Sequence, residues 1–582
     1  MAPTPSTEDK VTDISEIIGI YGTWQRRFFI WVLLGGILSC WLSLVTPFLA
    51  PEIDFWCQRP QTVLDNMSVE EWKVLAIPTQ INLLTEEKEY SKCTMYETKI
   101  NGTNEKDVFI NVNKTVACEK FEFDHSIYSS TLLEEWNLVC EDNWLISLSQ
   151  SAYMAGFLVA VLVLGQASDR LGRLPVMLLC FAFMIIAGLL GVFAPTFTVF
   201  IIARFFIGLG NSGLFTTAFI YVMESVGPNH RIWLGVGGSF GFSFGCIILP
   251  WIAWLIRDWF LIQLAITLPT IALGYIWWWI PESPRWLISQ GKMEKAEEVT
   301  RKIMKINRKE CADVQAALQN IRKISQMEDK GDEKLHVNVF DLLRKPSLRK
   351  ITLYLFFIWI VTAFVFYGIT LNTNELSGDP FINFFISGVV EIPACIMAMF
   401  SLRYYGRKTP LLSSLVSGGV VCFLAIIVPA DIQWLKTTFL MLGKLSITGT
   451  FAIIYVYTAE IFPTVVRNVG LGCCSTVARI GSITSPFVKE LSRATHPNVP
   501  FGLYGTVLVI SGLLVLLLPE THKRTLMDTL EQGEHFHRPI SQNKGQEQRH
   551  VSTGGFPFLE ELTSETKLKI LNSPPYSQHQ VA

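Results

Sequence analysis

Gly165-Gln-Ala-Ser-Asp169-Arg170-Leu-Gly172-Arg173-Leu-Pro175 is a short polar island between two long apolar runs. Lipid offers no partner for an unpaired backbone group, so a chain passing from one membrane helix to the next must turn quickly in the polar zone. Gly172 supplies the turn, and Gly165 opens the motif. Asp169, Arg170 and Arg173 can pair with one another and with neighbouring helix ends. This predicts a latch at the cytosolic surface that breaks when the helices separate.

The runs on either side set the class. Half of the 582 residues are apolar and only 17% are charged, with a mean hydropathy of +0.36, the composition of a membrane protein. A hydrocarbon core of ~30 Å takes ~20 apolar residues. Such runs recur near 28–49, 144–164, 176–194, 198–222, 232–255 and 259–280, and again near 351–371, 381–401, 410–430, 433–457, 467–489 and 501–518. The expectation is an all-α membrane protein with twelve transmembrane helices in two six-helix halves, 26–280 and 351–519. Arg26 and Arg27 precede the first run, and cationic residues stay inside, so the N-terminal segment 1–25 is placed in the cytosol. The segment 281–350 has no spanning run. From Arg285 to Lys350 it holds 16 Lys and Arg against 10 Asp and Glu. It reads as a cytosolic linker with short amphipathic helices, 292–306 being one, or as a patch for anionic lipid. The polar tail 520–582 is expected to be cytosolic and disordered. The net charge of −2 points to no partner, and nothing suggests nucleic acid.

Residues 51–143 form a large polar loop after the first span. It holds Cys57, Cys93, Cys118 and Cys140, enough for two disulfides with three possible pairings. Asn66-Met-Ser68, Asn101-Gly-Thr103 and Asn113-Lys-Thr115 are glycosylation acceptors in the same loop. Both signals put the loop outside the cell, in an oxidising compartment.

A charge near the bilayer centre costs at least ~2.5 kcal/mol, so it needs a partner, a wet cavity or a task. Glu391 lies ~15 Å into the eighth span and Arg479 ~18 Å into the eleventh. The two either pair and staple two helices, or offer one negative and one positive group to a solute between the halves. Lys444 in the tenth span is open between a snorkelling lysine and a ligand contact. Trp359, Phe366 and Tyr367 on the seventh span offer ring faces to an ammonium group, although helix packing accounts for aromatics equally well. Glu224, beside His230 and Arg231, and Glu460, near Arg467, read as cytosolic latch residues. No metal cluster, nucleophile and base pair or G-x-x-x-x-G-K-[ST] loop is present in the sequence, which argues against an enzyme or an ATP-driven pump.

Gly165 to Arg173 fits G-x-x-x-D-R-x-G-R, which is similar to the signature loop of the major facilitator superfamily. Arg403-Tyr-Tyr-Gly406-Arg407-Lys408 holds the corresponding place in the second half, without the Asp. Pro281-Glu-Ser-Pro-Arg-Trp-Leu287 is shared by sugar porters and organic ion transporters. Tyr457-Thr-Ala-Glu460-Ile-Phe-Pro463-Thr-Val-Val-Arg467-Asn, with the cysteine-bearing loop, resembles the organic cation, anion and carnitine transporter family. Within it, Val390-Glu391-Ile-Pro393-Ala394 resembles cation and carnitine members. Ala478-Arg479-Ile-Gly481-Ser482 instead resembles anion and carnitine members, cation specialists carrying Asp at the position of Arg479. The run from Asn372 to Pro380 also looks more like the carnitine branch. The resemblance implies a plasma-membrane secondary transporter, both termini cytosolic, that carries carnitine-like zwitterions and organic cations by alternating access. An organic anion exchanger or a sugar porter is the alternative. Its partners are a small organic ion and the lipid bilayer. It implies no cofactor, and leaves coupling to Na+, H+ or the membrane potential open, as it does the oligomeric state.

Overall fold

A computed structural model describes residues 13–59, 67–81, 88–100, 108–275, 279–310, 313–331, 339–373, 376, 378–429, 432–522 and 534. Twelve long helices follow one another: α1 (Thr23–Leu44), α2 (Trp144–Leu171), α3 (Arg173–Val192), α4 (Phe197–Ser225), α5 (Pro228–Ile256) and α6 (Trp259–Leu273), then α7 (Pro346–Leu371), α8 (Pro380–Tyr404), α9 (Lys408–Ile427), α10 (Gln433–Ile461), α11 (Arg467–Thr484) and α12 (Val499–Leu516). Nine of them are long and apolar enough to cross a bilayer on that count alone. The others are α5, apolar from Phe240 to Ile256, the short α6, and α11, whose apolar face is interrupted by Arg479. The fold is an all-α bundle of twelve transmembrane helices in two six-helix halves.

The packing repeats between halves. In the first, α1 lies on α5, α2 on α4 and α3 on α6; in the second, α7 lies on α11, α8 on α10 and α9 on α12. Across the halves, α5 meets α8 and α2 meets α11. Van der Waals packing drives such contacts where lipid is as apolar as the side chains, so small residues set the closest approaches. A Cβ on Gly208 of α4 would lie 2.1 Å from the Tyr153 carbonyl of α2, and one on Gly156 would lie 2.0 Å from that of Phe205.

Helix ends depart from the apolar runs in two instructive places. The run 467–489 is interrupted at Pro486, which has no N–H to continue the helical hydrogen-bond ladder; Ser485 and Pro486 keep helical dihedrals, α11 ends at Thr484 and a separate amphipathic helix, Phe487–Ala494, follows. The cytosolic ends of α2 and α10 continue helically past the apolar residues, carrying Asp169 and Glu460.

The exterior loop is not helical throughout. Three antiparallel ribbons pair 55–57 with 121–123, 79–81 with 88–90 and 94–100 with 108–117. Disulfides join Cys57 to Cys118 and Cys93 to Cys140. The loop seats on the turn between α5 and α6, where Ser129 N donates to the Arg257 carbonyl and Ser130 Oγ to Asp258. Asn113 is exposed on its ribbon, while Asn66 and Asn101 lie outside the described residues. Between the two halves the linker forms the helices Pro284–Ser289, Met293–Asn307, Val314–Gly331 and Val339–Arg344. Asn307 caps α1 by accepting from Trp24 N at 2.8 Å and donates to the Ile18 carbonyl at 2.7 Å.

Candidate translocation site

Among the described residues, the membrane interior of the second half holds one ion pair. Glu391, midway along α8, meets Lys444 of α10 at 3.1 Å, and the side chains are 3% and 0% exposed. The second carboxylate oxygen accepts from Ser243 Oγ of α5 at 3.1 Å, so the bond crosses between the halves. Lys444 also donates to Thr370 Oγ1 and lies 3.7 Å from the centroid of the Phe366 ring, both on α7. A buried ion pair of this kind persists because further hydrogen bonds replace the lost water.

Arg479 stands apart from that pair. Its guanidinium lies 4.2 Å from the centre of the Phe157 ring on α2, again across the halves, with Tyr367 of α7 close by. Among the described residues the buried Nε has no partner and no carboxylate forms an ion pair with the group. A small, largely apolar groove between α1 and α4 is lined by Trp31, Val32, Asn211, Leu214 and Phe215.

Towards the extracellular side the halves are tied together. Glu52 meets Arg493 at 2.5 Å and Lys489 at 3.2 Å. Ser147 of α2 donates to Glu490 at 3.0 Å, and Ser151 to the Ile483 carbonyl at 2.7 Å. Phe48 stacks on Phe381 and packs edge-on to Phe384. The structure is therefore closed at its outer face.

At the cytosolic ends, each half contains the same clamp. Arg173 pairs with Glu224 at 2.6 Å and Asp169 at 2.9 Å; Arg407 pairs with Glu460 at 2.9 Å. Glu282 accepts from the backbone N–H groups of Arg173 and Leu174, the first turn of α3, and Glu520 does so from Arg407 and Lys408 at the start of α9. A carboxylate at a helix N-terminus satisfies orphan donors and faces the positive end of the dipole. Ser283 Oγ donates to Glu224 at 2.6 Å and Thr521 Oγ1 to Glu460 at 2.8 Å. Gly172 has φ +111°, and a Cβ there would lie 2.4 Å from Glu282 Oε2.

A family model described as "Sugar (and other) transporter" matches residues 91–532. The organic cation transporter protein of Drosophila melanogaster is 36% identical over 543 residues, covering 92% of this chain and 96% of that one. Human organic cation/carnitine transporter 2 is 33% identical over 528 residues, covering 89% and 93%. The chain belongs to the organic cation and carnitine transporters of the major facilitator superfamily. The xylose transporter XylE of E. coli, solved in a partially occluded, inward-open conformation, shares the fold, with a TM-score of 0.58 at 17% identity over 87% of this chain and all of that one.

As a member of this family the chain is a membrane transporter of small organic solutes and not an enzyme. Its structure corrects several expectations drawn from sequence. Glu391 does not pair with Arg479; Lys444 takes that place, fully buried, and does not snorkel. Trp359 is fully buried, bonded to Thr458 at 3.0 Å and edge-on to Tyr455, so it turns no face to a cavity in this conformation. Phe366 packs its ring against Lys444, and Tyr367 lies near Arg479.

The latch residues Asp169, Arg173 and Glu224 come together and join the ends of α2, α3 and α4. Arg170 is exposed and joins none of these bonds. Gly165 has open space where a Cβ would be. Arg467 donates to Thr464 at 3.2 Å, leaving Glu460 to Arg407.

One intramembrane charge escapes the sequence reading. Arg204 of α4, 1% exposed, donates to the Leu42 carbonyl at 2.9 Å, to Gln150 at 2.8 Å and to Thr46 at 3.0 Å, bracketing α1, α2 and α4. Its place inside the run 198–222 was the available signal.

Proposed function

We propose that the chain carries carnitine-like zwitterions, ahead of simple organic cations, across the plasma membrane by alternating access. The observation that supports this is Arg479: a guanidinium between the halves with no carboxylate of its own. A planar fork of this kind suits a carboxylate, which it binds bidentately while keeping its charge. Glu391 has its charge matched by Lys444, so the uncompensated charge between the halves is positive and favours a cargo bearing a carboxylate. The ammonium end of such a cargo would meet the ring of Tyr367, the ring of Phe366 being taken by Lys444. The same balance of charge favours organic anion exchange as a second reading. Uptake of labelled carnitine, tetraethylammonium and p-aminohippurate by cells expressing this chain, with and without a sodium gradient, separates the two. Carnitine uptake is the expected result. Uptake of p-aminohippurate alone refutes the zwitterion reading, and uptake of tetraethylammonium alone refutes both.

A further inference from the structure

Lys444 sits where an ammonium ligand would. Around its one nitrogen stand the Glu391 carboxylate at 3.1 Å, the Phe366 ring at 3.7 Å and the Thr370 hydroxyl. A carboxylate, a ring face and a hydroxyl are the partners that recognise a primary ammonium of any origin. The nitrogen is fully shielded from water, so the three partners act at reduced dielectric and are correspondingly strong. The arrangement has no reserve: the other Glu391 oxygen is committed to Ser243 of the opposite half.

We propose that Glu391, Phe366 and Thr370 form an ammonium subsite that Lys444 fills as a tethered internal cation, and that Lys444 is the residue that keeps free ammonium compounds out of it. A free cation that displaced Lys444 would lose translational freedom that the tethered side chain has already given up, and would strand the lysine charge in the membrane interior. Removing the lysine reverses both terms. Lys444→Ala leaves a buried carboxylate facing the space of three methylenes and an amine, a vacancy of the size of a short alkylammonium ion. The subsite is local geometry and holds whatever the cargo is; only its bearing on selectivity rests on the zwitterion reading above.

The test uses the full chain in lipid nanodiscs and reads thermal stability in ethylammonium chloride against equal sodium chloride. Lys444→Ala is expected to melt below the wild type, since an unpaired buried charge remains. Ethylammonium should then raise its Tm saturably, because a ligand at ~100 times its dissociation constant favours the folded state ~100-fold. The wild type, with the subsite filled, and Lys444→Ala/Glu391→Gln, with the carboxylate gone, should not respond. No response from Lys444→Ala, or an equal one from the double variant, overturns the proposal. Should Lys444→Ala fail to accumulate, ethylammonium in the growth medium must restore it; failure to do so, while Lys444→Ala/Glu391→Gln accumulates, overturns the proposal as well. The readout needs no transport. A wild type that does not carry carnitine would end the cargo reading and leave this result standing.

Discussion

Glu52 is placed to decide how often the outer face opens. It projects from the chain after α1 and holds Arg493 at 2.5 Å and Lys489 at 3.2 Å on the helix after α11, joining the two halves. The carboxylate is 47% exposed and its partners 33% and 21%, so each pair contributes the ~0.5–1 kcal/mol of a well-formed surface bridge. Two pairs give ~1–2 kcal/mol, and Glu52→Gln should raise the outward-open population ~5- to 30-fold. Ser151 supplies the reporter: it is 5% exposed and bonded across the halves to the Ile483 carbonyl. In a Ser151→Cys background, labelling by a membrane-impermeant thiol reagent from outside should accelerate by that factor when Glu52 is neutralised. Exchanging the charges, Glu52→Lys with Arg493→Glu, should slow it again. Raising salt from ~0.1 to ~1 M shortens the Debye length from ~10 to ~3 Å and should shrink the difference. Burial pushes the Glu52 carboxyl up, but Lys489 and Arg493 outweigh it and hold it down at about 2. A depressed carboxylate stabilises above its ordinary pKa, and the effect is lost as pH falls through the folded value. The ratio of labelling rates with and without Glu52→Gln, in which the thiolate fraction of the reporter cancels, should therefore stay flat between ~pH 5 and 8. A change of less than ~2-fold on Glu52→Gln, below the effect of even one such bridge, refutes the clamp.

Three further outcomes follow from the geometry. Removing one partner of a buried pair costs ~3–5 kcal/mol. The pair Arg173–Glu224 is 8% and 14% exposed against 23% and 22% for Arg407–Glu460. Glu224→Gln should thus lower the melting temperature of the purified protein more than Glu460→Gln does, and the opposite order contradicts the burial argument. Cys118→Ala should add one alkylatable thiol, at Cys57, to the cysteines already free elsewhere in the chain when the denatured, unreduced protein is mapped by mass spectrometry, and should cost the loop ~2–4 kcal/mol; a new thiol at Cys93 or Cys140 instead would show the other pairing. Asn113→Gln should remove one glycan's worth of mass in protein from a glycosylating host, since Asn113 is exposed on its ribbon; unchanged mobility would mean that this acceptor is unused.

What the sequence made legible was set by range. Glu391 and Arg479 stand out because a charge in an apolar run is costly wherever it pairs, and that cost is visible in one dimension. The partner is not: Lys444 is 53 residues from Glu391 and reaches it because α10 packs on α8. The same limit misassigned Glu460 to its near neighbour Arg467, when Arg407 arrives from the preceding helix. Two features were legible and passed over. Arg204 obeys the rule that picked out Arg479. Pro519-Glu520-Thr521 repeats Pro281-Glu282-Ser283, each with a carboxylate capping a helix and a hydroxyl on the clamp glutamate. The ribbons of the outer loop were hidden by interrupted alternation in a polar segment, where only the cysteines carried a signal.

The repeat also explains why the charges sit where they do. Arg173 and Arg407 are 234 residues apart, and that offset carries Glu391 back onto Phe157; Glu224 and Glu460 are 236 apart, and that offset carries Arg479 back onto Ser243. Phe157 is the ring beneath Arg479, and Ser243 is the hydroxyl on Glu391. The contacts α5 with α8 and α2 with α11 are thus two copies of one interface, each joining a charged residue of the second half to the neutral counterpart of the other charge. Had both halves kept their charges, each interface would set Glu against Arg and close into a buried ion pair with nothing left for a solute. Neutral residues in the first half remove that pairing. Glu391 is then matched by Lys444 from its own half, and Arg479 alone is left with its charge facing the seam along which the halves must part.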